Sequence, residues 1–293
     1  MSKTLLALIT ATAALVVPAW AQSPVHETRS LAPDGTVAIE NLDGSVQVTG
    51  WSQGEVEVTG TLSKEAERLE VTGDVHRLKI RVVLKPGTRM TTDSDLEVHV
   101  PAACRVEVEC VSASIAVAEL RGQVELESVS GDVSVTGTPG ELEVEAVSGT
   151  ITVEAAPNKA SLESVSGDIE VARAGGSLEA SSVSGAVRIL GGTLEGGEVS
   201  TTSGEIRLEA DLGGRDSLSV ESMSGGVVLV VPAGVNAEFE LSTFSGSISS
   251  QLGPKPERSS DFAPGEELSF SAGSGGPHVD VSSFSGSVQL LTR

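Results

Sequence analysis

Residues 126–135 read LESVSGDVSV, and residues 162–171 read LESVSGDIEV. Between them, VEAVSGTITV at residues 144–153 repeats the pattern more loosely. The serine of this recurring Ser-Gly stands at 130, 148, 166, 184, 203, 224, 245 and 285, giving intervals of 18, 18, 18, 19, 21, 21 and 40 residues. One step of 18 back from Ser130 reaches Ser112, where Ala113 replaces the glycine. Self-similarity at such a period marks an array of structural repeats. The array is expected over residues 106–293, preceded by a less regular β region at 22–105 that continues into it.

Each unit carries two apolar alternations. Val124 and Leu126 precede the Ser-Gly, and Val133 and Val135 follow it. Later units repeat this with Leu142 and Val144, then Ile151 and Val153. Period-two alternation rich in β-branched residues is the strand signal. Leu126 and Val133 are seven residues apart, an odd number, so the inward phase must slip once between them. Gly131 is the expected place, because glycine accepts backbone conformations that other residues avoid.

A repeat of 18–21 residues with two short strands suits one turn of a single-chain, all-β, parallel β-solenoid or β-helix-like stack. Successive turns would lie about 4.8 Å apart. An antiparallel meander or prism is the runner-up, but the connections TGTPGE, EAAPNKAS and RAGGS are irregular, and like residues favour like neighbours in a parallel stack. In the first region SKEAERLEV, from Ser63, is expected to hold one helical turn. The Pro- and charge-rich stretch at residues 251–267 accounts for the 40-residue interval and is expected as an exposed excursion or a flap over the last coil. Without such a cover the last coil leaves an open edge, on which edge-to-edge self-association is expected.

The N-terminus has the composition of a secretory leader. Lys3 precedes an apolar run from Leu5 to Val17, followed by Pro18 and Ala19-Trp20-Ala21. This pattern predicts a signal peptide over residues 1–21. The run is shorter than the roughly 20 residues of a membrane span, and no later segment is long enough, so no transmembrane segment is expected in the mature chain. An exported protein, periplasmic or extracellular and at the cell surface, follows as the expectation.

Loss of residues 1–21 removes one lysine and no acid, leaving 18 basic and 41 acidic residues, a charge of −23. That balance argues against nucleic acid as a partner. The chain has no tyrosine and five phenylalanines, so it offers few aromatic platforms for sugars. Cys104 and Cys110 lie on one predicted strand. Six extended residues span roughly 20 Å, beyond the reach of a disulfide of about 7 Å between Cα atoms. Two free, buried thiols are expected.

The opening IENLDGSVQVTGW (39–51), the stretch VHVPAACRVEVE (98–109) and the SVSGDI array (164–169) resemble the bacterial putative-adhesin family of β-strand-repeat domains of unknown function. The likeness covers nearly the whole mature chain and implies an exported, all-β, solenoid-like protein. It brings no catalytic motif. Ala113 and the 251–267 insertion depart from the regular repeat.

Candidate chemistry is sparse. No G-x-S-x-G elbow accompanies the serines, and His26, His76, His99 and His278 are scattered. Asp93-Ser94-Asp95 starts like a calcium loop, yet Val98 and Cys104 occupy the positions that need glycine and glutamate. No cofactor is expected. Stacking in register places Glu109, Glu127, Glu145 and Glu163 in one carboxylate ladder, and Glu107, Glu125 and Glu143 in another. A solvated acidic face is the simplest reading; weak cation binding by Glu109 to Glu163 is the sharper one. The small residues Cys110, Ser128, Ala146, Ser164, Ser182, Thr201, Ser222, Thr243 and Ser283 form a structural column.

A last column comprises Val129, Val147, Val165 and Val183, continued by Thr202, Met223, Phe244 and Phe284. Core or lateral packing is the first expectation for it. The alternative is an outward stripe that meets a partner. Taken together, the residues predict a non-enzymatic, adhesin-like binding or scaffolding module at the cell envelope, acting on an envelope protein or surface ligand. A polysaccharide-active β-helix enzyme and a periplasmic partner in envelope-stress signalling are the contrasting readings.

Overall fold

The computed structural model describes residues 23–88, 93–259 and 264–293. The leader expected at 1–21 lies outside the described residues, as do residues 260–263 of the insertion. The described residues contain no helix. Their strands form a 13-stranded and a 14-stranded sheet.

Each repeat gives one strand to each sheet. Gln123–Ser128 lies in the 14-stranded sheet, and beyond the Ser-Gly corner Val133–Gly137 lies in the 13-stranded one. Successive coils pair in parallel, with like residues in register. Leu126 faces Val144, which faces Leu162, which faces Ala180. In the other sheet Val133, Ile151, Ile169 and Val187 follow one another. All of these side chains are buried between the sheets. The alternation thus produces a two-layered, parallel β-solenoid with two short strands per coil, and its core is a stack of aliphatic rungs.

At both ends the coils leave sequence order. The coil of Thr36–Asn41 and Gly44–Trp51 lies between Arg77–Leu84 with Ser94–Pro101 on one side and Arg105–Cys110 with Ser114–Leu120 on the other. The C-terminal coil, His278–Ser283 and Val288–Thr292, is likewise inserted between two earlier ones. Its neighbours are Leu218–Ser222 with Val227–Val231, and Ala237–Thr243 with Ile248–Ser250. The expectation that the last coil in sequence forms the open end is therefore corrected. The insertion is long enough for the chain to return, and closing a longer loop adds little entropic cost.

Antiparallel strands cover the ends. Glu55–Leu62 pairs with Ser94–Pro101, and Ser23–Ser30 pairs with it in turn. At the far end Glu266–Ala272 runs antiparallel to Ala237–Thr243, with Glu257–Arg258 outside it. The 13-stranded sheet stops there at Ile248–Ser250, a strand of only three residues. Short or covered edges are how soluble sheets limit unwanted strand pairing.

The helical turn expected from Ser63 is absent. The Ala66 N–H bonds to the carbonyl and the hydroxyl of Ser63 in a tight turn. Ala66–Gly73 then forms the edge strand of the 14-stranded sheet, antiparallel to Arg77–Leu84, where its inward-facing backbone groups join the ladder. Cys104 and Cys110 are free and buried, and burial pushes both thiols up to about 12. At neutral pH they stay protonated and unreactive.

Candidate functional site

The Ser-Gly corner is built from backbone and one hydroxyl. Ser128 points inward, Val129 and Ser130 both face solvent, and Gly131 is buried. The phase slip thus falls at Val129–Ser130, one step before the glycine where it was expected. The Ser128 Oγ accepts the Gly131 N–H at 3.0 Å and donates to the Gly131 carbonyl at 2.8 Å. Ser164, Ser182, Thr201, Ser222 and Ser283 accept the N–H three residues on in the same way. In each of these six coils a single hydroxyl closes the corner.

Gly131 is not required for a left-handed backbone, since none of the repeated Ser-Gly glycines has positive φ. The reason is contact. A Cβ on Gly131 would lie 1.9 Å from the Ala113 carbonyl oxygen, and one on Gly149 would lie 2.0 Å from that of Gly131. Gly167, Gly185 and Gly204 repeat the approach at 1.9 Å, each against the glycine before it. Asp132 and Asp168 extend the corner by accepting the N–H groups of Thr150 and Ala186 in the next coil. Sequence reading missed that role, although an acid after Ser-Gly was visible in both copies.

The column before the Ser-Gly faces solvent, which corrects the expectation of core packing. Val129, Val147, Val165 and Val183 are 43–49% exposed, and Met223, Phe244 and Phe284 are 56–60% exposed. Leu42 and Val111 extend the same line toward the first coils. Nine of the eleven exposed large hydrophobic side chains among the described residues fall on this one stripe; the others are Val75 and Leu190. Two consecutive outward residues at each corner leave the valine no inward direction. Phe244 and Phe284 stack with centroids 4.7 Å apart and planes 3° from parallel.

The glutamate ladder runs beside the stripe. Glu109, Glu127, Glu145 and Glu163 are direct partners in the parallel register. All four are exposed, and among the described residues none has a basic partner. The neighbouring ladder differs: Glu107 is held by Arg77 and Arg105, and Glu125 by Arg105. Desolvation pushes the Glu127 carboxyl above the usual glutamate range, with repulsion from Glu109 and Glu145 adding to it.

The two columns line one groove of about 640 Å³. Glu109 to Glu163 form one wall, Val111 to Val165 the other, and Cys110, Ser128, Ala146 and Ser164 the floor. Glu40, Leu42 and Arg81 close its N-terminal end. A second depression of about 410 Å³ continues it past Val183 to Met223 and Phe284, where Ser181, Ser200 and Ser282 stand in the place of most of the glutamates. The groove is acidic and aliphatic in one half; the other carries large apolar residues and a single ladder carboxylate, Glu221.

Other groupings are minor. Oxygens and ring nitrogens of Glu240, His278 and Asp280 lie within 4.8 Å of one another on an exposed part of the 14-stranded sheet. The described residues place no serine hydroxyl in hydrogen bond with a histidine ring; His26 instead faces Glu57 at 3.0 Å.

Comparison with known proteins gives distant structural neighbours and one family match. A putative adhesin from Parabacteroides merdae is similar at 13% identity and a TM-score of 0.49, with 71% of this chain and 89% of that one covered. One from Bacteroides fragilis gives 13% and 0.47, covering 94% and 99%. A protein from Parabacteroides distasonis described as a putative lipid binding protein gives 13% and 0.48, covering 92% and 96%. No curated protein matches the chain. The model of the Toastrack DUF4097 family matches residues 37–291, and the chain belongs to that family.

Proposed function

We propose that this protein is an exported, non-enzymatic module that binds or scaffolds a partner at the cell envelope through the corner groove. The observation that carries the reading is the collection of nine of the eleven exposed large hydrophobic side chains of the described residues on one line along the coil corners. A patch of that continuity marks a contact surface on a soluble protein. Its length supports a scaffold: ten stacked coils at about 4.8 Å extend the stripe over about 43 Å. Export rests on the leader composition of residues 1–21.

The test combines location with site-specific crosslinking. Fractionation of the native cell should recover the mature chain outside the cytoplasm. A photo-crosslinking residue at Val147 should then capture a discrete envelope partner, while one at Thr152, outward on the opposite sheet, should not. Cytoplasmic recovery, or equal capture from both positions, overturns the reading.

A further inference from the structure

We infer that the acidic half of the groove binds linear polyamines, with ammonium groups on the Glu109–Glu163 wall and methylenes against the Val111–Val165 wall. The inference rests on the groove being the binding face and names the ligand class for one half of it.

The walls dictate the ligand. Four unpaired carboxylates stand on successive strands, so their spacing is about 4.8 Å. Across a floor of buried small residues, each has an exposed valine of its own coil two positions along the chain. An occupant that satisfies both walls carries a positive charge about every 5 Å and is apolar between charges. A metal ion answers the carboxylates but leaves the valines wet. An extended basic peptide places same-face side chains about 6.8 Å apart and falls out of step within two coils.

A trimethylene spacer stays in step. Four single bonds of about 1.5 Å in an extended zigzag set the flanking nitrogens about 5 Å apart. A tetraamine with three such spacers spans about 15 Å, against about 14 Å for the three intervals of the ladder. Its terminal amines are close to lysine in basicity, at about 10; like-charge repulsion lowers the inner ones, yet most of the four are protonated at neutral pH and carboxylates alongside favour the fully charged form. A linear alkyl chain is also narrow enough for a shallow groove of about 640 Å³.

The ends fix the number of charges. On one side Glu40 is already paired with Lys79, and the adjacent Arg81 is held by Glu70. On the other, the ladder position passes to Ser181 and then Ser200. Four free carboxylates remain between these limits.

The experiment is calorimetry on the mature protein with norspermine, the tetraamine with three trimethylene spacers, in about 150 mM salt to suppress loose ionic association. One-to-one binding is expected, at least tenfold tighter than that of 1,3-diaminopropane or Ca²⁺. Glu127→Gln with Glu145→Gln should weaken it at least tenfold. The charge-matched control Glu179→Gln with Glu198→Gln, on the adjacent ladder, should change it less than twofold. Val147→Ser with Val165→Ser should weaken norspermine several-fold and leave Ca²⁺ unaffected. Equal losses in the two glutamate variants, or norspermine no tighter than the diamine, overturn the inference. Partner capture from Val147 that persists in that case leaves the binding reading intact; its loss as well removes both.

Discussion

Phe244 and Phe284 stack face to face although 40 residues separate them in the chain. They meet because the C-terminal coil slides between two earlier ones, setting Ser283 beside both Ser222 and Thr243. The largest apolar residues of the stripe thereby become one continuous end. The same insertion buries strands of the C-terminal coil on both edges, so the end of the chain is a structural member of the stack.

Replacing Phe244 and Phe284 with serine should leave the fold intact. Both rings are more than half exposed, and a stacked aromatic pair contributes about 0.5–1.5 kcal/mol. Thermal melting should fall by a few degrees at most, whereas Phe239→Ala in the core should cost about 3–5 kcal/mol. A large loss in the double serine variant would show that the stripe is structural.

The corner glycines should tolerate no methyl group. Gly167→Ala forces a Cβ to 1.9 Å from the Gly149 carbonyl, a clash with backbone that no rotamer relieves. A loss of at least about 2 kcal/mol in denaturant unfolding is expected. Ser166→Ala beside it, exposed at the same corner, should be nearly neutral.

The hydroxyl column contains a natural deletion. Ala146 stands where Ser128 and Ser164 close their corners. Ala146→Ser should stabilise the protein by about 1 kcal/mol, and Ser164→Ala should destabilise it by about 1–2 kcal/mol, by leaving the Gly167 N–H without its acceptor. Chemical denaturation of the two variants measures both signs.

The ladder should make stability fall as pH rises. Glu127 holds its proton more tightly in the folded chain than its ordinary value of 4.5. Its favourable contribution is therefore present below that value and lost as pH climbs through the raised one. Glu127→Gln should raise the melting temperature at pH 7, and the gain should vanish below about pH 4. A gain that is the same at both pH values would show that repulsion within the ladder is not its source.

Asp168 should behave oppositely. Arg188 at 2.9 Å and the Ala186 N–H hold its carboxyl below the usual aspartate range. Its contribution is present above the ordinary value and lost as pH falls through the lowered one. Asp168→Asn should lower the melting temperature slightly at pH 7, since the pair is partly exposed, and should leave it unchanged in strong acid.

Much of the coil was legible because a repeat in parallel register writes its own contacts. The intervals of 18 residues set Leu126 against Val144 and Glu127 against Glu145, and the structure pairs them so. Parity located the corner within three residues. It did not locate the slip itself, because alternation cannot distinguish one outward pair from another between Ser128 and Gly131. Nor did it reveal why glycine recurs: the demand comes from a neighbouring coil's carbonyl, which is absent from any single repeat. The helical turn at Ser63 was misread because the partner of Ala66–Gly73 follows it as an antiparallel hairpin outside the repeat.

The groove shows the same division. Each of its walls was visible as a column, Glu109 to Glu163 and Val129 to Val183, because identical spacing makes equivalent positions stack. Whether the valines lay inside or outside, and that both columns border one channel, depended on the direction each corner side chain takes in space. The sequence by itself determined the coil, its aliphatic core and the identity of the stacked columns, since period and alternation are local properties. Tertiary structure alone decided the order of the coils at the two ends and the exposure of the stripe. Those outcomes depend on which distant strands satisfy each other's backbone hydrogen bonds, and no local pattern records that choice.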